Sequence, residues 1–133
     1  MTVTKAIKQI SGLSLDDPPG WATPAIRVGD FIFLKGFIGT DPATGRLADT
    51  VEGQVRFIFQ SIKTALEPHG ANLEDVVQMT MYFTNRMAHW PILDRVRREI
   101  FKKEPPTSTG VGVTQLHMGA DLEIDAIAVI SRQ

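Results

Sequence analysis

Two acidic side chains near the C-terminus are the first candidates for chemistry. Glu123 and Asp125 are separated by one residue in an alternating apolar segment, and a strand would place both on one face about 7 Å apart. One carboxylate can raise the pKa of the other, and Glu123 could then order a hydrolytic water or act as a general base. The alternatives are structural: Glu123 would be paired to a basic residue at a subunit interface. For Asp125 we favour such an interface salt bridge.

Lys35 interrupts an otherwise apolar strand. Burying a bare ammonium group is costly, so this side chain must reach water, pair with an anion or face a pocket. We hypothesise that Lys35 supplies positive charge to an anionic ligand. The equally weighted alternative is an interface ion pair, with Glu123 as a candidate partner; a Schiff-base role is a minor third reading.

Hydroxyl groups and histidines supply weaker candidates. Ser108 and Thr109 could present hydroxyl donors to a ligand, but a serine nucleophile needs a base, and nothing in the sequence sets the distance from Ser108 to His117. We therefore predict that His117 lies in a connection between two strands, at the rim of a pocket. The three histidines share no metal-ligand spacing, so no metal site is predicted.

Glycines and aromatic residues could shape the pocket. Glycine inside a strand suggests close approach by a ligand or by another backbone. The glycines in question are Gly36, Gly39, Gly110 and Gly112. Large aromatic side chains can wall an apolar pocket, and the candidates are Trp21, Phe37 and Tyr82. Each is also explicable as interface packing, which is the default interpretation for Phe37.

Hydrophobic periodicity predicts six strands and two helices in the order β-β-β-α-β-α-β-β. The predicted strands cover residues 6–10, 25–28, 31–38, 76–84, 109–115 and 121–131. Strand 31–38 is expected to be buried on both faces, and Val77 is expected to face the core with Met79. The first helix is predicted to start at a capping box with Asp49 as N-cap, and the second at Pro91 in position N1.

This order leaves one face of the sheet uncovered. Two helices can cover only one face, and the other carries Ile127 and Val129, which should not remain in water. Packing against copies of the same chain would bury them. The residues therefore predict an oligomer independently of any resemblance.

Composition narrows the class of protein. The 133 residues are 43% hydrophobic with net charge −1, as expected for one compact domain over 1–133. The absence of cysteine excludes disulfides, thiolate catalysis and zinc–cysteine sites. The basic stretch 95–103 is broken by acidic residues and is interpreted as a solvated face, so no nucleic-acid partner is expected. No apolar run approaches a membrane span and no secretory signal is apparent, which predicts a cytoplasmic protein without membrane contact.

Three segments resemble the YjgF/RidA family. They are VGDFIFLKGFIGTDPATG, VEGQVRFIFQSIKTALEPHGANLEDVVQMTMYFTN and PPTSTGVGVTQLHMGADLEIDAIAV, in the family's order and spacing. The resemblance implies a chorismate-mutase-like α+β fold with two helices on one face of a mixed sheet. It also implies a homotrimer, in which three sheets line a barrel and a pocket lies at each subunit interface. The family's deaminases hydrolyse reactive enamines and imines without a cofactor or metal.

The resemblance carries over unevenly to the site. The family's water-positioning glutamate falls on Glu123, and the glycine of its Ser-Gly pair falls on Gly36. The serine of that pair falls on Lys35, and the tyrosine falls on or near Ala22, beside Trp21. The carboxylate-binding arginine falls on Ser108. Thr109 keeps the hydroxyl that follows.

Serine cannot reproduce a guanidinium's two charge-assisted hydrogen bonds to a carboxylate. We therefore expect deamination of an enamine, imine or related small molecule other than the usual 2-aminoacrylate. The alternative is a non-catalytic member that binds a small ligand or a partner protein.

Overall fold

Six strands and two long helices make up the structure. The computed structural model describes residues 5–8 and 23–130. The strands are β1 (Lys5–Lys8), β2 (Ala25–Val28), β3 (Phe31–Ile38), β4 (Val76–Phe83), β5 (Thr107–Gly112) and β6 (Leu122–Val129), and the helices are α1 (Val51–Leu66) and α2 (Arg86–Ile100). Short 3₁₀ turns cover Glu67–His69, Leu73–Asp75 and His117–Gly119. The predicted α+β class and element order are confirmed.

The strands form one mixed sheet in the order β1-β2-β3-β6-β4-β5. Neighbouring strands are antiparallel except β4 and β5, which are parallel and joined by α2. The last strand, β6, therefore lies between β3 and β4 near the middle of the sheet. Side chains from three strands can converge around it.

One face of the sheet, here called the helix face, packs against α1 and α2. The predicted core face of β6 is confirmed, with Leu122 and Ile124 fully buried. Gly39 admits α1 at close range, because a Cβ there would lie 2.2 Å from the Cα of Gln54. The predicted close approach at Gly39 is therefore made by a helix backbone, not by a ligand.

The opposite face, here called the open face, carries no helix formed by residues 23–130. It includes Phe31 and Phe33 of β3, which are 51% and 46% exposed and stack with ring centroids 6.3 Å apart. Burial of β3 on both faces is therefore wrong for the single chain, where Ile32, Leu34 and Phe37 are buried and Phe31 and Phe33 are exposed. The reason is that helices cover only one side of the sheet.

Both predicted helix starts are wrong. Thr50, not Asp49, is the N-cap of α1, because its Oγ1 accepts a hydrogen bond of 3.0 Å from the Gly53 backbone N–H. The second helix begins at Arg86 after the N-cap Asn85, which places Pro91 inside it. Pro91 has no N–H to bond to the carbonyl of Met87, four residues earlier. Met87 is exposed, so water can donate to that carbonyl instead.

Two strand details also differ from prediction. The fifth strand begins at Thr107 and ends at Gly112, because it pairs in parallel with β4 over its whole length, from Gln78 to Phe83. Val77 is 45% exposed rather than in the core. A register irregularity between Val76 and Gln78 reverses the side on which Val77 lies.

Candidate active site

The central strand places two carboxylates on the open face. In β6, Glu123 pairs with Tyr82 of β4 and with Ile38 of β3, and Asp125 pairs with Thr80 of β4. Residues directly opposite each other in a sheet share a face. The predicted common face of Glu123 and Asp125 is confirmed, and Tyr82 lies beside them.

A bulge in β3 brings Lys35 and Gly36 to the same group. The pairing of β3 with β6 shifts between Leu34 and Phe37, so Lys35 and Gly36 together face Asp125. A Cβ at Gly36 would lie 2.5 Å from Oε2 of Glu123. The close approach predicted at Gly36 is therefore made by the Glu123 carboxylate, and only glycine leaves room for it there.

The environment of Glu123 raises the pKa of its carboxyl group. Partial burial is the largest cause and the charge of Asp125 adds to it, while His117 and Lys35 act in the opposite direction. A carboxylate with a raised pKa is a stronger proton acceptor than an exposed one at neutral pH. The effect of His117 on this pKa shows that the histidine lies near the Glu123 carboxyl group.

Lys35 is half-buried next to this carboxyl group. Burial lowers the pKa of its ammonium, and the charge of Glu123 partly compensates. Its Nζ lies 5.2 Å from the ring centroid of Phe37, within cation–π range. Among residues 23–130 it forms no ion pair within 4.0 Å, so the alternative of an ion pair with Glu123 is not met within one chain.

Tyr82 completes the polar group, here called the Glu123 cluster, which consists of Lys35, Glu123, Asp125, Tyr82 and His117. The Tyr82 hydroxyl donates a hydrogen bond of 3.3 Å to Oδ2 of Asp125. The charge of Asp125 raises the pKa of that hydroxyl, with burial as the second cause. Tyr82 is thus a protonated donor held against an acidic pair.

Ser108 lies on the other face of the sheet from Glu123. It pairs with the buried Met79, and its Oγ accepts a hydrogen bond of 2.9 Å from Nη1 of Arg97. Its neighbour Thr109 pairs with Thr80 on the open face, because strand side chains alternate. Within one chain, Thr109 therefore shares the open face with Glu123, whereas Ser108 does not.

Three other predicted pocket residues have different surroundings. Phe37 pairs with Ile124 and is 8% exposed, so it belongs to the core instead of walling a pocket. A Cβ at Gly110 would meet Arg86 and Trp90 of α2, so that glycine makes room for the helix. Trp21 lies outside the described residues.

The contacts of Arg97 are not evident from the sequence. Its guanidinium stacks over Trp90 at 4.8 Å, bonds Asp94 and reaches Ser108. The spacing of Trp90, Asp94 and Arg97 along a helix is the signal that could have indicated one shared face. The charge pattern of 95–103 by itself indicates only a solvated basic stretch.

Two structural absences hold within residues 5–8 and 23–130. No helix there combines the length and apolarity that a bilayer crossing needs. No three histidine, aspartate or glutamate side chains in those ranges are grouped so that they could hold a metal ion.

Comparisons with known proteins match this arrangement. Residues 17–130 match the family model described as Endoribonuclease L-PSP. A RutC family protein of Aquifex aeolicus is 33% identical over 114 residues, 84% of this chain and 90% of the relative. A 2-iminobutanoate/2-iminopropanoate deaminase of Dermatophagoides farinae is 30% identical over 85% of this chain and 88% of its own. The crystal structure of RidA from Psychrobacter sp. PAMC 21119 is similar with TM-score 0.82 and 27% identity, covering 90% of this chain and 98% of that one.

Proposed function

Because this chain belongs to the YjgF/RidA family, we propose that it is a deaminase that hydrolyses a reactive enamine, imine or related small molecule without a cofactor. The observation that carries the proposal is the Glu123 carboxyl group, held over Gly36 with a raised pKa. The relative from Dermatophagoides farinae, a 2-iminobutanoate/2-iminopropanoate deaminase by name, supports the reaction class.

Glu123 handles the protons of the reaction. An enamine first takes a proton on carbon and becomes an iminium ion. Glu123 accepts a proton from water as the water oxygen bonds to the iminium carbon, and returns it to the nitrogen of the resulting carbinolamine. Ammonia then leaves as the carbinolamine hydroxyl loses its proton, and the carbonyl product forms. Tyr82, hydrogen-bonded to Asp125, keeps the second carboxylate in place beside Glu123.

Lys35 holds the anionic group of the substrate. Its ammonium group is half-buried in the Glu123 cluster and forms no ion pair with a carboxylate of residues 23–130. A substrate carboxylate would supply the missing anion. Because one ammonium makes a weaker and less directional contact than a guanidinium fork, the substrate differs from the usual 2-aminoacrylate.

We propose further that a homotrimer closes the site. The Glu123 cluster shares the open face with the exposed side chains of Phe31, Phe33 and Val77. Copies packed on that face would bury these apolar groups and exclude water from Glu123. At one side of the sheet, β5 is an edge strand whose outer backbone groups are available to a neighbouring subunit.

RNA cleavage, which the wording of the family model suggests, has less support in this chain. In the basic stretch, Arg95 pairs with Glu52, and Arg97 and Arg98 share one carboxylate, Asp94, so the uncompensated charge is confined to the C-terminal end of α2 and the segment after it. Binding a phosphate backbone needs a broad surface of uncompensated positive charge. The small-molecule reaction is therefore our proposal.

Ammonia release from 2-iminopropionate and a panel of unstable enamines tests the proposed reaction. We expect release by the wild type and a loss of about 10²-fold or more in Glu123→Ala, with Glu104→Ala, an exposed carboxylate change, as the matched control. Silence across the panel with a ligand retained in the cleft would support the alternative, a non-catalytic binding member. Ser108 favours that alternative, because it occupies the position at which the family's deaminases carry arginine.

A further inference from the structure

A cavity of about 480 Å³ lies away from the Glu123 cluster. It is bounded by the C-terminal half of α2, the following segment 101–106 and the first residues of β5. Because Ser108 lines it from the helix face, whereas Glu123 lies on the open face, the two sites are on opposite sides of the sheet. Within one chain, none of the residues that we assign to the deamination lines it.

The charge of this cavity, here called the cationic cavity, is strongly unbalanced. Four basic side chains, Arg97, Arg98, Lys102 and Lys103, line it together with one carboxylate, Asp94. Three positive charges are therefore in excess. Both oxygens of Asp94 already accept bonds from the two arginines, and in the described ranges neither lysine forms an ion pair.

Arg97 is held in place before any ligand arrives. Its Nε donates to Asp94 Oδ1 at 2.9 Å, its Nη1 donates to Ser108 Oγ at 2.9 Å, and Trp90 stacks on its guanidinium at 4.8 Å. These contacts remove rotamer freedom that a ligand would otherwise have to restrict. Its Nη2 also lies 2.7 Å from Asp94 Oδ1, so three of its five N–H donors are used and two are left for a ligand.

Ser108 and Arg98 add donors that match the oxygens of an anion. The Ser108 Oγ accepts the bond from Arg97, so its own proton is available for donation. Arg98 uses Nε on Asp94, which leaves both of its Nη groups available. Forked guanidinium groups with nearby ammonium groups favour phosphate oxygens in particular.

We propose that the cationic cavity binds the phosphate group of a small phosphorylated molecule. A phosphate dianion would offset most of the excess charge. The volume is within the range of small-molecule pockets and exceeds what one phosphate fills, and Phe101 and Pro106 offer an apolar wall for the remainder of the ligand.

Titration calorimetry on the full-length chain with inorganic phosphate and pyrophosphate tests the proposal, at constant ionic strength set with sodium chloride. We expect saturable binding that is tighter for pyrophosphate, and about tenfold or more weaker in the double variant Lys102→Gln/Lys103→Gln. Lys63→Gln, an exposed lysine of α1, is the matched control and should leave the affinity unchanged. Both cavity lysines are exposed, so circular dichroism should show an intact fold.

Two results would overturn the assignment. One is an affinity for phosphate that is the same in the double variant and in the wild type. The other is tighter binding of succinate than of pyrophosphate, which would make the cavity a dicarboxylate site. Loss of deaminase activity in Glu123→Ala with phosphate binding retained would separate this site from the proposed reaction.

Discussion

At the scale of single residues, the decisive contact is the one between Glu123 and Gly36. The carboxyl group lies where any side chain at position 36 would be, so it is partly removed from water. Asp125 adds a like charge and Lys35 an opposite one. The protonation of Glu123 is therefore set first by its burial, to which Asp125 adds and which His117 and Lys35 oppose.

Replacing Asp125 and replacing Lys35 should move the pH profile of kcat/KM in opposite directions. Glu123 acts when deprotonated, so activity falls as pH decreases through its raised pKa. Asp125→Asn removes the like charge and should shift the acidic limb of kcat/KM to lower pH, whereas Lys35→Met should shift it to higher pH. Carbon-13 NMR titration of the Glu123 carboxyl gives the same directions without relying on activity. Two shifts of the same sign would contradict the electrostatic account.

Gly36→Ala should impair activity with little loss of fold. Its Cβ would displace the Glu123 carboxylate, and misplacing a reacting group by about 1 Å can cost on the order of 10²-fold in rate. Gly112→Ala is the control, because nothing lies within 4 Å of a Cβ there. Comparison of kcat/KM and Tm for the two variants checks this; equal activity would show that Gly36 does not position Glu123.

At the scale of elements, backbone pairing and capping decide where side chains point. The parallel pairing of β5 with β4 sends Ser108 to the helix face and Thr109 to the open face. The bulge in β3 admits Lys35 and Gly36 opposite a single residue. Bulges and registers depend on the partner strand, so they are invisible in the alternation of one segment.

The true cap of α1 gives a stability test at this scale. Thr50→Ala removes the side-chain acceptor for the Gly53 N–H and should lower the free energy of unfolding by about 1 kcal/mol. Asp49→Ala should cost only a few tenths of a kcal/mol, through the helix dipole. Urea denaturation of both variants measures the difference. A larger loss for Asp49→Ala would restore Asp49 as the cap.

At the scale of the whole molecule, the open face combines an apolar region with the Glu123 cluster. Exposed stacked phenylalanines at the middle of a sheet are unfavourable in water. Packing of copies of the chain over this face would remove the two phenylalanines from water and would also enclose the carboxylates of Glu123 and Asp125. Assembly and catalysis are therefore coupled in our proposal.

Phe33→Glu should break the assembly. A charge at the centre of the apolar region would have to be buried without a partner, so light scattering should show the wild type as a trimer of the 14.7 kDa chain and the variant as a smaller species. Met87→Glu is the control, since Met87 is 83% exposed but belongs to α2. A wild type that is monomeric at micromolar concentration would rule out the trimer.

The sequence by itself determined the α+β class, the order of the elements, the two faces of β6 and the shared side of Glu123 and Asp125. These follow from local periodicity, which each segment carries alone. Only the tertiary structure decided that Thr50 caps α1, that Ser108 lies against Arg97, that Phe37 is buried and that Gly36 accommodates Glu123. The cap depends on the backbone conformation at Thr50, which the residue types alone do not decide. The other three depend on the pairing of separate strands, and a shift of one residue in strand pairing reverses the side to which a side chain points.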